Sequence, residues 1–215
     1  MSGVTGAAAA AGWSGAAAAS GALDLGSLDL GSLNLAGIAP SSAGHGGGLA
    51  SLESATAHLE TPFAVVDAGA LRANADALVR RAGGKPVRLA TKSVRCRGVS
   101  DAVLGLDGFA GVLALTLPEA LLLAQTCSDV VVGYPTVDRA ALARLAADPE
   151  LAARVTLMVD STDHLDLLDG VAAQSDSVLR VCLDLDASLR LFRGRLHLGT
   201  RRSPLHSAVD AARFA

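Results

Sequence analysis

Aromatic side chains are scarce: one Trp, one Tyr and four Phe make up 3% of 215 residues. A surface that stacks nucleobases needs a row of such rings, so single-stranded nucleic acid is not an expected partner. A cationic face is missing as well. Lys and Arg number 18 against 21 Asp and Glu, and the net charge is -3, which leaves no electrostatic footprint for a phosphate backbone. The first Lys or Arg is Arg72, so the basic start of a signal peptide is lacking and export is not expected. No long apolar run exists either. Residues 7–19 are mostly alanine broken by Gly12, Ser14 and Gly15, too short and too weakly hydrophobic to span a bilayer. Three cysteines, Cys96, Cys127 and Cys182, have no paired spacing and sit in or beside apolar stretches. That pattern fits free, mostly buried thiols in a cytoplasmic protein better than a disulfide framework or a zinc site. The five histidines, at 45, 58, 164, 197 and 206, form no two-His helix motif, and no metal site is expected.

What the chain does have is organised in two parts. Residues 1–55 are rich in Ala, Gly and Ser and carry a short imperfect Leu-Asp-Leu-Gly-Ser repeat over residues 23–35. They read as a flexible leader, or as a docking tail with Leu anchors, since such compositions do not build a core by themselves. From residue 56 onward short apolar runs alternate with amphipathic stretches. Strands are expected at residues 62–67, 87–92, 108–115, 129–134, 155–160 and 178–184. Helices are expected at 68–81, from Thr116 onward, at 137–147, at 163–173 and from Pro204 to the end. Gly83-Gly84 closes the first helix, and Thr116 with Glu119 has the form of a capping box.

Six βα repeats imply an α/β fold with a parallel sheet. No Gly-x-Gly-x-x-Gly follows a strand, which weakens a dinucleotide-binding version of a doubly wound sheet. Even strand spacing favours a (β/α)8 barrel. From Thr61 to the end there are 155 residues, against roughly 250 for a complete barrel, so the chain is expected to be the front part of a longer enzyme.

The run Lys85-Pro86-Val87-Arg88-Leu89-Ala90-Thr91-Lys92 is read as a buried strand ending on a lysine. In α/β sheets the carboxyl ends of the strands are where chemistry is placed. A partly desolvated amine there is suited to attack a carbonyl, whereas a lysine that reaches out to solvent has only a solubilising role. Arg88 shares a strand face with Lys92 under two-residue alternation. It either favours the free amine of Lys92 or pairs with Asp67, whose other reading is a helix cap. Tyr134 stands at the end of the fourth strand and either meets a ligand or is satisfied by water.

Taken together, these segments resemble one family. Thr61-Pro62-Phe63-Ala64-Val65-Val66-Asp67 with Leu71-Arg72-Ala73-Asn74, and Arg88-Leu89-Ala90-Thr91-Lys92-Ser93, are similar to the opening of the alanine racemase-like (fold type III) pyridoxal-phosphate (PLP) enzymes. Thr116-Leu117-Pro118-Glu119-Ala120, Val132-Gly133-Tyr134-Pro135, Asp184-Leu185-Asp186-Ala187-Ser188 and Gly199-Thr200-Arg201-Arg202-Ser203-Pro204 continue the likeness. The closest branch is that of D-threonine aldolase, D-serine dehydratase and amino acid deaminase/aldolase. The resemblance implies an amino-terminal (β/α)8 TIM barrel broken off after about six βα units, with PLP as cofactor and Lys92 as its catalytic Schiff-base lysine. Arg88, Tyr134 and, near the sixth strand, Arg201 or Arg202 (ahead of Arg190) would complete the cofactor-binding set. It further implies a lyase acting on a β-hydroxy D-amino acid, a small-molecule amino acid substrate and a homodimer in the full-length form. An alanine-type racemase and an inactive PLP-binding remnant are the alternatives. Aldolase and dehydratase relatives carry histidines two before and two after the lysine, where this chain has Ala90 and Val94.

Overall fold

A computed structural model of the chain describes residues 34–40, 49–175, 177–192 and 195–214. A five-stranded sheet has the order β1-β2-β3-β4-β5, with β1 at Val87–Leu89, β2 at Phe109–Ala114, β3 at Val130–Val132, β4 at Val155–Val159 and β5 at Arg180–Leu183. The pairs β2/β3, β3/β4 and β4/β5 are parallel, with Val112 opposite Val130, Val130 opposite Val155 and Leu157 opposite Val181. Each strand lies beside its predecessor in the chain. A doubly wound sheet reverses direction at a switch point, whereas a barrel wall adds strands in sequence. The order is that of the wall.

Five of the six expected strands are present, all shorter than the apolar runs that announced them. The first is not: residues 63–67 form no strand among the described residues. Asp67 instead caps the following helix α2 (Ala68–Ala82), its Oδ1 accepting from Ala70 N at 2.8 Å. That was one of its two expected roles. Gly83 ends α2 in the left-handed region at φ 60°, a conformation that costs a residue with a Cβ about 1–2 kcal/mol.

The chain divides into two compact units. In the first, residues up to Leu89 together with Val94–Ala110, the short helix α1 (Leu49–Thr56) precedes α2, and α4 (Arg97–Leu104) follows β1. The core joins Leu35, Ala75, Val103 and Leu106, with Leu71 and Phe109 packed against them. Leu35 belongs to the stretch read as leader, yet it is 1% exposed. Its carbonyl accepts from Arg72 Nη1 at 2.7 Å, in a 3-10 turn over Leu35–Gly37 capped by Asn34. The packed part therefore reaches back past the boundary at residue 55. The remainder of the repeat and Gly44–Gly48 lie outside the described residues.

The second unit, Ala90–Ser93 and Gly111–Ala215, holds most of the sheet with helices α5 (Leu117–Leu123), α6 (Arg139–Ala146), α7 (Pro149–Arg154) and α8 (Thr162–Ala172). Each begins where its sequence offers a cap: Thr116, Asp138, Asp148 and Ser161 all accept backbone N–H bonds. The buried set is Val and Leu from strands and helices together, including Val112, Val130, Leu142, Leu145, Val155 and Leu157, none more than 1% exposed. After β5 comes an unexpected antiparallel hairpin of β6 (Leu189–Leu191) and β7 (Leu196–Leu198), and then the final helix α9 (Ala208–Phe214). Residues 91–93 of the short helix α3 (Thr91–Val94) also belong to this unit. The three cysteines are half-buried, where the sequence suggested mostly buried thiols. No helix among the described residues is long and apolar enough to cross a membrane.

Candidate active site

Lys92 does not stand on a strand. β1 stops at Leu89, and Lys92 is the second residue of α3. The alternation that was to align Arg88 with Lys92 ends before it reaches the lysine, and Arg88 is exposed on β1. The half-buried Lys92 reaches Tyr134 instead, with its Nζ 4.9 Å from the centre of the ring. On the same ring the guanidinium carbon of Arg202 also lies at 4.9 Å. Both distances are within the roughly 6 Å over which a cation is attracted to an aromatic face. Arg201, its neighbour, is exposed; among the described residues the cations over the ring are Lys92 and Arg202. Arg190 pairs across the hairpin with His197.

Arg202 is fixed by the ends of three strands. Its Nη2 donates to the carbonyl of Gly133, the residue after β3, at 2.7 Å and approaches Met158 Sδ of β4 at 3.7 Å. Its Nε donates at 3.2 Å to Asp184 Oδ2, one residue past β5. The Asp184 side chain is only 9% exposed, so this charge-assisted bond lies in surroundings that strengthen it. At Gly133 an added Cβ would come within 3.1 Å of the Ala114 carbonyl, which explains a glycine at this crowded strand end. Its N–H donates to that same carbonyl at 2.8 Å.

Lys92 is positioned through its neighbour. The buried Thr91 hydroxyl lies 3.1 Å from Leu113 O and 3.0 Å from Glu119 Oε1. Glu119 Oε2 accepts from Leu115 N at 2.8 Å. The capping-box reading holds for Thr116, which accepts from Glu119 N. It fails for the Glu119 carboxylate, which turns to Leu115 and Thr91 and so ties the start of α3 to the end of β2. Thr91, Glu119 and the Gly133 carbonyl escaped the sequence reading. Thr91 could have been noticed as the buried polar neighbour of the lysine; a backbone carbonyl gives no sequence signal.

Two cations beside one phenol change its chemistry. Hydrogen bonding to Lys92, then the Lys92 charge, then Arg202 in the same two ways, hold the Tyr134 hydroxyl below its ordinary range. The phenolate is the favoured partner of both cations. The cluster thus offers a primary amine, a fixed guanidinium and an acidified phenol at the carboxyl ends of parallel strands. A barrel of this type presents its chemistry at that end.

Comparison with known proteins identifies a family. The family model described as alanine racemase, N-terminal domain, matches residues 66–213. The chain belongs to that family. Its members are PLP-dependent enzymes. Among solved structures, the chain is similar to D-threonine aldolase from Filomicrobium marinum, with a TM-score of 0.53 and 20% sequence identity. The match covers 66% of this chain and 36% of that one, so the chain spans about a third of the aldolase's length. At that identity the likeness shows the fold. No curated protein matches the chain.

Proposed function

We propose that this chain forms the lysine-bearing part of a PLP-dependent lyase that acts on β-hydroxy D-amino acids. The observation that carries the reading is the convergence of Lys92 and Arg202 on Tyr134 at the ends of β3, β4 and β5. The donor set fits the cofactor. Lys92 supplies the amine that an aldehyde requires, and Arg202 supplies a fixed positive charge for an anionic oxygen. When bound, PLP acts as an electron sink for a carbanion at the substrate's Cα.

The protein's own part is positioning and proton transfer. Lys92 Nζ would hold the cofactor, and as a free amine it would be placed to take a proton from substrate. Asp184 and the Gly133 carbonyl fix the plane of Arg202, so its charge is offered in one orientation. Tyr134 Oη, acidified by its two cations, can hold or release a proton closer to neutral pH than an ordinary phenol. A racemase reading uses the same residues and draws support from the name of the matching family. The aldolase likeness favours the lyase.

The test is loading with PLP. The chain should acquire visible absorbance that borohydride abolishes, and Lys92→Ala should lose it. A reducible chromophore retained in Lys92→Ala would remove Lys92 from the mechanism. With the longer protein, aldehyde or keto-acid release from D-threonine or D-serine supports the lyase, interconversion of alanine enantiomers supports the racemase, and a loaded but inert protein supports the remnant.

A further inference from the structure

His164 is a buried ring that the site described above does not use. It is 5% exposed and lies in the first turn of α8, where Ser161 caps its backbone N–H. Its Nε2 is 2.7 Å from the carbonyl oxygen of Thr136. A carbonyl only accepts, so Nε2 must carry the proton. The other ring nitrogen, Nδ1, is buried without a hydrogen-bond partner among the described residues. Leaving one polar atom of a buried ring unpaired costs on the order of 1–3 kcal/mol. An apolar residue of similar size would avoid that cost. The bond to Thr136 is what the imidazole contributes at this position.

Thr136 lies two residues past Tyr134, and Pro135 stands between them. Proline fixes its own φ and restricts the residue before it, so the segment from Tyr134 to Thr136 has little freedom to flex. Holding the Thr136 carbonyl therefore holds Tyr134. The other flank is tied already, since Gly133 donates to Ala114 and accepts from Arg202. Tyr134 itself is 43% exposed, so burial does little to fix it. We infer that His164 is a positioning residue, which keeps Tyr134 against Lys92 and Arg202 by anchoring the turn after β3. What Tyr134 then does for a cofactor rests on the function proposed above; the anchoring does not.

Tyr134 is the only tyrosine of the chain, so the ultraviolet absorbance of tyrosinate reports on it alone. The full 215-residue protein is titrated as wild type, Lys92→Met, His164→Leu and His164→Gln, with circular dichroism to verify folding. Lys92→Met calibrates the reporter by raising the midpoint. His164→Leu, which keeps volume but removes the donor, should raise the midpoint by a comparable amount. His164→Gln, whose amide can still donate to Thr136, should titrate as wild type. A folded His164→Leu protein with the wild-type midpoint overturns the inference. If the Leu variant does not fold, His164→Phe, a ring of similar shape that cannot donate to Thr136, decides: a raised midpoint upholds the anchor and a wild-type midpoint overturns it. Failure of Lys92 to take up PLP, with these shifts intact, would refute the proposed function and leave the anchor standing.

Discussion

A lysine in place of Arg202 keeps the charge but cannot reach Gly133 and Asp184 together, because an ammonium lacks the planar fork of a guanidinium. Arg202→Lys should therefore leave Asp184 under-satisfied and destabilise the protein by about 1–3 kcal/mol, read by urea denaturation, while weakening PLP uptake at equal cofactor concentration. Glu119→Ala acts from the other side of the site. It frees Leu115 N and takes one of two partners from the buried Thr91 hydroxyl, and should cost a similar 1–3 kcal/mol with a loss of the Lys92 chromophore out of proportion to unfolding. Asp186 gives a pH-dependent case. Its carboxylate is buried and accepts from Ser188, and the Ser188 side chain and backbone lower its pKa below the ordinary 3.8. A depressed folded pKa means that its stabilisation is present above the unfolded value and is lost as pH falls through the folded one. The advantage of wild type over Asp186→Asn in thermal midpoint should therefore shrink as pH is lowered below about 4. For Tyr134 the same sign places the contribution at high pH. It should appear as pH rises past the lowered folded value and level off near the ordinary phenol value of about 10.

At the scale of elements, Leu35 makes the sharpest claim. It is a fully buried side chain in a segment whose composition suggested none, and Leu35→Ala should cost about 2–5 kcal/mol. Proteolytic removal of residues 1–55 should likewise lower the thermal midpoint; an unchanged midpoint would show that Leu35 is not part of the core. Strand and helix identities were largely legible because β-branched runs such as Val130-Val131-Val132 and caps such as Thr116 carry their own signals. Other features had none. Residues 63–67 have the β-branched and aromatic composition of a strand, but strands exist only where a partner accepts their backbone. α3 is a single turn of four residues, below the length at which periodicity can be read, so the apolar run leading to Lys92 was extended as strand. The hairpin escaped for the same reason: β6 and β7 are three residues each. Lys92, Tyr134 and Arg202 were legible one by one. Their meeting was not, since it depends on sheet order.

For the whole molecule, that order has a consequence in time. The contacts of Arg202 close chain loops of very different size: 18 residues to Asp184, 44 to Met158 and 69 to Gly133. The entropy lost in closing a loop grows with its length, and non-local contacts form only after that loss has been met. The β2 to β5 wall joins neighbours in sequence and can grow strand by strand. Arg202 must wait until β3, β4 and β5 are paired and the hairpin has brought the chain back. Competence to bind a ligand should then lag behind secondary structure. In refolding from urea, far-ultraviolet circular dichroism should recover ahead of the acidified titration of Tyr134. A protein emerging from the ribosome would have its sheet before it has its chemistry, and would meet the cofactor last.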